Sequence, residues 1–570
     1  MKKLINDPLR VVDDMLQGVV QADQRLALLE GENIVVRRDF HTLKADGKVS
    51  LISGGGAGHE PAHGGYVGSG MLTAAVAGPV FTSPSVDAVL SAIMTVAGPG
   101  GVLLIVKNYT GDRLNFGLAA EIARAAGVDV DMLVVGDDVA LDDDGGRVGR
   151  RGIAGTVFIH KVAGAAAEAG LSLKQVKAEA QRAAAGLFSM GLALGACTVP
   201  AAGKPGFTLA DDEVEYGLGI HGESGVRRGH VQPAGEMVGV LLERIAEQGD
   251  LKTGERIALM VNNLGGTAVQ ELDIVAGEAI SGFASRGLNI EAVMVGTFLT
   301  ALEMPGCSLS VMRIDDSMLA RLHAPTDASA WPGMSTPALD VSRVPALATA
   351  ENHTTQGTEW AQLNAQELRR VLQAISRALQ DNEEVLTELD SVVGDGDIGI
   401  SLARGARAID EALDTLALDR PGVALQQLSA ILRRVLGGTS GPLYAVFVLR
   451  AGVTLSAHAE PDSIRAWAEA FQAGCDGMAR LGGASAGDRT MLDALIPAAA
   501  DLARQTSDAS ALEAATQVAI AAEFGAESTR NMLASKGRSS YLGNRALGHI
   551  DPGAFAVTVW VRAVASAFES

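Results

Sequence analysis

A stretch from Leu389 to Ile400 limits most strongly what this chain can be. It places three carboxylates, Asp390, Asp395 and Asp397, within eight residues. Like charges this close repel one another unless a cation lies among them. Mg²⁺ prefers oxygen ligands and keeps coordination positions open for phosphate oxygens. The following residues are compatible with a helix, whose first N–H groups would face the same phosphates. The stretch therefore predicts a metal-nucleotide site.

Interleaved glycines would let the backbone of this stretch turn sharply enough to aim all three carboxylates at one point; they are Gly394, Gly396 and Gly399. Two plainer interpretations stay open, a Ca²⁺ loop and a solvated acidic turn. The spacing does not match the ligand positions and closing glutamate of an EF-hand.

Composition bounds the class of protein. The 570 residues are 48% apolar and 20% charged, as in an ordinary globular chain with several cores. The net charge of −21 argues against nucleic-acid or anionic-membrane partners, because both need a basic surface. Three distant cysteines, Cys197, Cys307 and Cys475, have no metal-ligand spacing and indicate a reducing compartment.

Targeting signals are not expected. The segment Met1–Arg10 meets Asp7 and Pro8 before any apolar run, which is unlike a signal peptide. The longest apolar region, Met71–Val106, is interrupted by glycine, proline and aspartate, which argues against a membrane span. We therefore expect a cytoplasmic protein.

The first part of the chain alternates short apolar runs with alanine-rich helical runs, which is typical of α/β layers. The predicted strands include 49–53, 102–106, 132–135 and 257–261, and Gly, Asn or Asp follows within two residues of each. Strand signals from about Arg256 onward suggest a second α/β subdomain. Ligands of such folds bind beyond the carboxyl ends of strands.

Domain limits follow from changes in hydrophobic periodicity and composition along the chain. Periodicity is lost between Asp327 and Trp360, where prolines and polar residues gather. We predict an α/β domain over residues 1–330, a linker over 331–359 and an all-α domain over 360–570. The last domain should contain about eight helices, because long amphipathic segments dominate this part of the sequence.

Two motifs of the first domain follow predicted strands. Ser53–Pro61 packs four glycines before His59, and glycines there allow a small ligand to approach the backbone. His59 is a candidate acid or base. Lys107–Arg113 offers a cation, an amide and the carboxylate of Asp112, which suits substrate fixing and proton transfer. The plainer interpretation of the first motif is a structural turn. That of the second is a polar turn in which Asp112 pairs with Arg113.

A third motif, Gly217–Gly225, places His221 among four glycines. A lone histidine is more often structural than catalytic. An imidazole with so few neighbouring side chains is, however, open to a ligand, and its neutral nitrogen can add to a carbonyl carbon. No zinc-ligand spacing joins His59, His63 and His221.

Glycine-rich turns of the second domain lie between helical segments, where N–H groups can cradle phosphate. They are Gly437–Tyr444, Gly487–Asp493, Gly537–Gly543 and Asp551–Gly553. None carries the Gly-Lys-Ser/Thr ending of a Walker A loop. Each alone fits an interhelical turn, but together they favour a nucleotide site.

These motifs, taken in order, resemble the dihydroxyacetone kinases in their single-chain, ATP-dependent form. The first domain is similar to the family's substrate-binding domain through Ser53–Pro61, Lys107–Phe116 and Gly217–Gly225. The second is similar to its nucleotide-binding domain through Leu389–Gly399 and the glycine-rich turns. The resemblance covers nearly the whole chain except the linker.

For the first domain the resemblance implies a ketone held covalently by His221 as a hemiaminal. His59 and Asp112 would handle protons. The substrate pocket would be lined by Gly56, Ala57, Gly58, His59, Lys107 and Asp112.

For the second domain the resemblance implies a barrel of antiparallel helices that binds ATP. Asp390, Asp395 and Asp397 would hold two Mg²⁺ ions. The remaining nucleotide contacts would come from Gly399, Ser401, Thr439, Ser440, Gly487, Met491, Arg538, Asp551 and Gly553. Ile398 departs from the family, where Thr, His or Cys is commoner, but it lies between ligands. The family's usual state is a homodimer in which domains of different subunits face each other.

The expected reaction transfers the γ-phosphoryl of ATP to a terminal hydroxyl of dihydroxyacetone. Erythrulose or glyceraldehyde are alternative substrates, and pocket size would decide among them. A phosphoprotein donor and a catalytically inactive ketose sensor are further alternatives. Fusion of both domains favours free ATP, and the intact aspartates and histidines argue against a sensor.

Overall fold

The computed structural model of the chain describes residues 2–141, 149–222, 225–345, 362–460, 463–505, 509–536 and 538–569. They form two compact units, Met1–Val344 and Pro345–Ser570. The first unit is α/β and the second is all-α, which confirms the predicted fold class.

Twelve strands of the first unit form two six-stranded sheets, ordered β1-β2-β4-β3-β5-β6 and β11-β10-β12-β7-β8-β9. The strands are β1 Leu26–Leu28, β2 Ile34–Arg37, β3 Ser50–Ala57, β4 Ala74–Val80, β5 Val102–Lys107, β6 Val130–Val135, β7 Leu187–Ala193, β8 Glu213–Tyr216, β9 Arg227–His230, β10 Arg256–Asn263, β11 Asn289–Gly296 and β12 Gly306–Arg313. One sheet to each subdomain agrees with the two α/β subdomains predicted from the sequence.

Helices cover the sheets. They are α1 Val11–Ala22, α2 Phe40–Ala45, α3 Val86–Val96, α4 Thr110–Ala125, α5 Thr156–Glu168, α6 Leu173–Ala185, α7 Ala234–Gly249, α8 Val269–Ser285 and α9 Asp316–His323. Every residue from Thr156 to Ala167 is buried, since α5 shares one core with both sheets. A helix of mostly apolar and small residues that is buried on all sides fits such an interior position, and its buried polar residues include His160 and Lys161. The outer faces of the two sheets pack on α3 with α4 and on α7 with α8.

Strand direction in the first sheet sets up a ligand site. The pairs β3–β4, β3–β5 and β5–β6 are parallel. All six residues of β5 are buried, as expected for a strand covered on both faces. Because β3 and β5 run the same way, their carboxyl ends reach the same sheet edge.

The second unit is a closed ring of helices. Its helices are α10 Gln362–Asp381, α11 Glu383–Val393, α12 Ile398–Ala412, α13 Pro421–Val435, α14 Ser440–Ser456, α15 Ile464–Gly482, α16 Leu492–Leu502, α17 Ala511–Ser528 and α18 Pro552–Ser566. From α12 to α18 each helix packs on the next, and α10 closes the ring by contacting both α18 and α12. One apolar core joins them. None of the described helices is both long and apolar enough to cross a bilayer.

Part of the predicted linker has a place in the first unit. Trp331 is only 7% exposed and packs in the core around α5. Ser335 exchanges backbone hydrogen bonds with Val293 of β11, at 2.9 and 2.7 Å. Residues 346–361 lie outside the described part of the chain. The limits 1–330, 331–359 and 360–570 stay predictions.

These contacts predict how the first unit tolerates truncation. A fragment of residues 1–344 should fold by itself, because its cores are built from its own residues. A fragment ending at residue 330 loses the buried Trp331 and should be less stable by about 3–5 kcal/mol, as for Trp truncation in a core. Urea unfolding followed by circular dichroism compares the two. Equal midpoints would show that residues 331–344 add nothing to the core.

Candidate active site

The first candidate site lies at the carboxyl ends of β3 and β5. His59 follows β3, Lys107 is the last residue of β5, and Asp112 lies in the first turn of α4. A Cβ atom placed on Gly55 would lie 3.4 Å from Lys107 Nζ and 3.5 Å from Asp112 Oδ2. The parallel pairing of the two strands thus brings the lysine and the carboxylate to the glycine-rich end of β3.

His221 reaches the same place from the second subdomain. It follows β8, and its ring centroid lies 4.8 Å from that of His59, with the ring planes 72° apart. The histidines of two separate sequence motifs therefore meet in one site. Glycine was needed at both motifs for the chain to turn, but the meeting itself depends on how the subdomains pack.

The protonation state of His59 follows from its surroundings. The side chain is fully buried, and Nδ1 lies 2.7 Å from the carbonyl oxygen of Thr300. Because a carbonyl oxygen only accepts, Nδ1 carries the hydrogen. Burial, with the nearby Lys107 and His221, holds the pKa of His59 well below its usual range. Neutral His59 therefore keeps a lone pair on Nε2, a buried atom with no hydrogen-bond partner in the described residues.

The predicted substrate-lining glycines are tightly enclosed. A Cβ on Gly56 would lie 2.5 Å from the backbone nitrogen of Thr82, and one on Gly58 would lie 2.8 Å from the Phe81 ring. Both positions thus require glycine for close packing. Ala57 between them is 4% exposed.

Two aromatic rings of the site were missed by the sequence analysis. Phe81 stacks on His59 at 5.1 Å, and Tyr109 meets the His221 ring edge-on at 4.6 Å. Tyr109 lies inside the Lys107–Arg113 motif and was available as a candidate. Phe81 carries no local signal, although it adopts a left-handed φ of 58°, which is rare for a bulky residue and frequent at functional sites.

Beside Lys107 the structure places a second, fully buried histidine pair. His63 Nδ1 lies 2.9 Å from His160 Nε2. Burial and the charge of Lys107 lower the pKa of His160 to about 3 and hold that of His63 well below its usual range. The surroundings of Lys107 therefore contain neutral imidazoles.

The second candidate site is the aspartate cluster. Asp390 lies in the last turn of α11, Asp395 in the turn, and Asp397 at the start of α12. One carboxylate oxygen from each lies within 4.8 Å of the others. Asp390 Oδ2 accepts the backbone N–H of Asp397 at 2.9 Å, which holds the turn together. The structure thus gathers the three predicted ligands.

This donor set fits Mg²⁺. Three hard carboxylate oxygens face one point, and Asp395 and Asp397 are exposed, which leaves room for water and phosphate oxygens in the remaining positions. A dication would also offset the mutual repulsion of the three charges.

A glycine-rich turn lies beside the cluster. A Cβ on Gly438 would lie 3.7 Å from Asp397 Oδ2. Thr439 and Ser440 follow directly, and Ser440 begins α14. The N–H groups at the start of α14 therefore open next to the carboxylates, where they suit phosphate.

Three more predicted nucleotide residues meet at the start of α18. Asp551 caps this helix, with Oδ1 accepting from Ala554 N at 2.9 Å. A Cβ on Gly553 would lie 3.4 Å from Met491 Cε. Burial raises the pKa of Asp551 to about 6, and the Arg489 guanidinium lies 3.9 Å from its Oδ2.

Gly487 belongs to the adjoining turn, where its N–H donates to Asp493.

The remaining residues predicted to bind the nucleotide are Gly399, Ser401 and Arg538. Gly399 packs against α11, since a Cβ there would lie 2.1 Å from the carbonyl oxygen of Glu383. Ser401 is 9% exposed. The Arg538 side chain lies outside the described atoms. Its neighbour Ser539 donates to the carbonyl of Val393 at 3.0 Å, which ties this turn to the aspartate cluster.

Fold and sites together define a two-domain phosphotransferase. A Dak1 domain matches residues 17–330 and a DAK2 domain matches residues 392–566. The chain is 43% identical to human triokinase/FMN cyclase, with full coverage of both chains, and 39% identical to the dihydroxyacetone kinase of Citrobacter freundii, with 98% of both covered.

A solved structure extends the likeness to the fold. The C. freundii dihydroxyacetone kinase in complex with AMP-PNP and Mg²⁺ has a TM-score of 0.65 and 38% identity, with 99% of each chain covered. The chain belongs to the single-chain dihydroxyacetone kinase family, and it is an ATP-dependent kinase.

The aspartate cluster predicts a strict metal requirement. Asp395→Asn and Asp397→Asn should each abolish turnover and the thermal stabilisation by Mg²⁺-AMP-PNP, because each removes a charge that holds the metal. Asp419→Asn, at an exposed position of the same unit, is the matched control and should change neither. If either cluster variant kept more than a tenth of wild-type kcat, a barrier change under about 1.4 kcal/mol, the ligand assignment would be wrong.

Proposed function

We propose that the chain transfers the γ-phosphoryl of ATP to a terminal hydroxyl of dihydroxyacetone and holds the ketone covalently on His221. The observation that carries the proposal is the meeting of His59 and His221, at 4.8 Å, beside Lys107 and Asp112. The likeness to the C. freundii dihydroxyacetone kinase over both domains supports the same assignment.

Covalent capture would use the imidazole of His221 as a nucleophile and not only as a hydrogen-bonding group. An imidazole nitrogen of His221 adds to the carbonyl carbon, and the carbonyl oxygen becomes a hydroxyl by taking up a proton. The ring loses its N–H proton, so the adduct is neutral overall. Edge-on rings of His59, Phe81 and Tyr109 around His221 favour one plane for the attacking ring.

Proton transfer falls to His59 and Asp112. The terminal hydroxyl must lose its proton as its oxygen bonds to phosphorus and the bond to ADP breaks. His59 has a buried lone pair on Nε2 that can accept a hydrogen bond or a proton. Asp112, 3% exposed, has one carboxylate oxygen beside Gly55 and the other without a hydrogen-bond partner in the described residues. Lys107 would fix substrate oxygens.

The aspartate cluster would hold two Mg²⁺ ions with ATP. Bound there, the metal supplies neutralisation of the charge that develops on the phosphoryl oxygens. Asp390 is locked in place by the backbone N–H of Asp397, while Asp395 and Asp397 stay accessible. The N–H groups at the start of α14, with Thr439 and Ser440, would bind phosphate next to them. Asp551, Gly553 and Met491 would then lie against the nucleoside side of the site.

A panel assay tests the proposal against its alternatives. ATP and Mg²⁺ are mixed with dihydroxyacetone, erythrulose, glyceraldehyde or glycerol, with no second protein, and ADP release is followed. We expect the highest kcat/KM with dihydroxyacetone and none with glycerol, which has no carbonyl to capture. Activity that appears only with an added phosphoprotein would refute ATP as the donor. The homodimer implied by the family resemblance stays a prediction.

Separate roles for the histidines predict separate kinetic defects. His221→Ala should lose the adduct and raise the KM for the ketose steeply while part of kcat survives. His59→Ala and Asp112→Ala should instead lower kcat by about 10²–10⁴-fold, the usual contribution of general acid-base groups. Steady-state kinetics with dihydroxyacetone measure both effects. His230→Ala, at an exposed histidine of β9, is the control and should behave as wild type.

A crystal soaked with dihydroxyacetone decides the covalent step directly. Continuous density from the His221 ring to the central carbon supports it. A ligand at van der Waals distance from that ring would rule it out.

A further inference from the structure

The segment that carries His59 is held by a turn of the other subdomain, chiefly by Thr300. Three successive carbonyl oxygens, those of Gly58, His59 and Glu60, accept hydrogen bonds from the Thr300–Leu302 turn. Leu302 N–H donates to Gly58 at 2.7 Å, and Thr300 N–H donates to His59 at 3.1 Å. The Thr300 hydroxyl donates to Glu60 at 2.9 Å. The carbonyl oxygen of Thr300 in turn accepts a hydrogen bond from His59 Nδ1 at 2.7 Å.

The turn is itself rigidly anchored. The Asn262 side chain, fully buried at the end of β10, accepts the N–H groups of Phe298 and Leu299 at 2.9 and 3.0 Å. Its amide donates to the Leu299 carbonyl at 2.8 Å. Thr300 is 5% exposed, so its polar groups have little access to water. The sheet of the second subdomain thereby fixes the position of the His59 ring.

We propose that Thr300 is a positioning residue that selects the Nδ1–H tautomer of His59 and keeps its Nε2 lone pair directed to the reacting hydroxyl. All three polar groups of Thr300 serve the His59 segment, although the residue lies in the other subdomain. The proposal rests on the proposed function, in which His59 accepts the proton. It adds the reason why this histidine is poised as an acceptor rather than a donor.

The low pKa of His59 is consistent with this role. Burial, Lys107 from β5 and His221 from the second subdomain lower this pKa, while the hydrogen bond to the Thr300 carbonyl raises it. His63 lies close enough for the charge of His59 to lower its pKa in turn. The carboxylates of Glu60, in the same segment, and of Asp112, beside Lys107, also belong to this site. A folded pKa below the ordinary value near 6.5 keeps the base neutral and active at acid pH. If the segment moved and water entered, the pKa would rise toward that value, and activity would fall as the pH drops below it.

Thr300→Val tests whether Thr300 positions His59, because the substitution keeps the shape of the side chain and removes its hydroxyl donor. We expect kcat at pH 8 to fall about tenfold with less than about a threefold change in the KM for the ketose. An acid limb with an apparent pKa near 6.5 should appear in the kcat profile. Thr300→Ser retains the hydroxyl and should restore the wild-type profile. Thr326→Val removes a comparable hydroxyl-to-carbonyl bond, at 2.6 Å to Ser69, away from the site and should leave the profile unchanged.

A spectroscopic measurement on the wild-type enzyme needs no turnover. With ¹⁵N-labelled histidine, and the His59 signal assigned by His59→Gln, two-dimensional NMR reports which ring nitrogen carries hydrogen. Hydrogen on Nδ1 down to pH 5.5 supports the inference. Hydrogen on Nε2, or a Thr300→Val profile with the wild-type shape, overturns it. Absence of kinase activity in the wild type would refute the proposed function alone, since the NMR result stands independently.

Discussion

Hydrogen bonds from the Thr300–Leu302 turn to the carbonyl oxygens of Gly58, His59 and Glu60 join the two subdomains of the first unit where His59 and His221 meet. Hydrogen bonds are directional, so consecutive bonds across this junction fix the orientation of the segment as well as its distance. This junction brings His59, which follows a strand of the first sheet, next to His221, which follows a strand of the second sheet. Close packing of Gly56 and Gly58 against Phe81 leaves no room for the segment to shift.

The two candidate sites solve opposite electrostatic problems. Around Lys107 the histidines His59, His63 and His160 are buried and uncharged, because burial and the lysine both oppose a second positive charge. His63 and His160 share a hydrogen bond, whereas Nε2 of His59 has no partner in the described residues. In the second unit the carboxylates of Asp390, Asp395 and Asp397 collect negative charge near the surface, where a dication and phosphate can reach it. The first site is thus lined by neutral imidazoles and the second by negative carboxylates.

Sequence patterns located most elements but not all of their limits. The amphipathic segments predicted for the second domain include α10, Gln362–Asp381, because a long amphipathic period is a strong local signal. β3 continues to Ala57, beyond its predicted end at Ser53, because its glycines pair with β4. Helix α11 was not anticipated, and it holds Asp390 in its last turn rather than in a loop. Such limits depend on pairing with distant segments.

The sequence by itself determined the fold class, the carboxylate cluster and the two glycine-flanked histidines, because periodicity and local charge crowding are properties of neighbouring residues. Only the tertiary structure decided that His59 faces His221, that Phe81 stacks on it and that Thr300 accepts its Nδ1 hydrogen. These contacts join residues far apart in the chain. Their geometry is fixed by how two sheets pack through α5, and no local pattern records that packing.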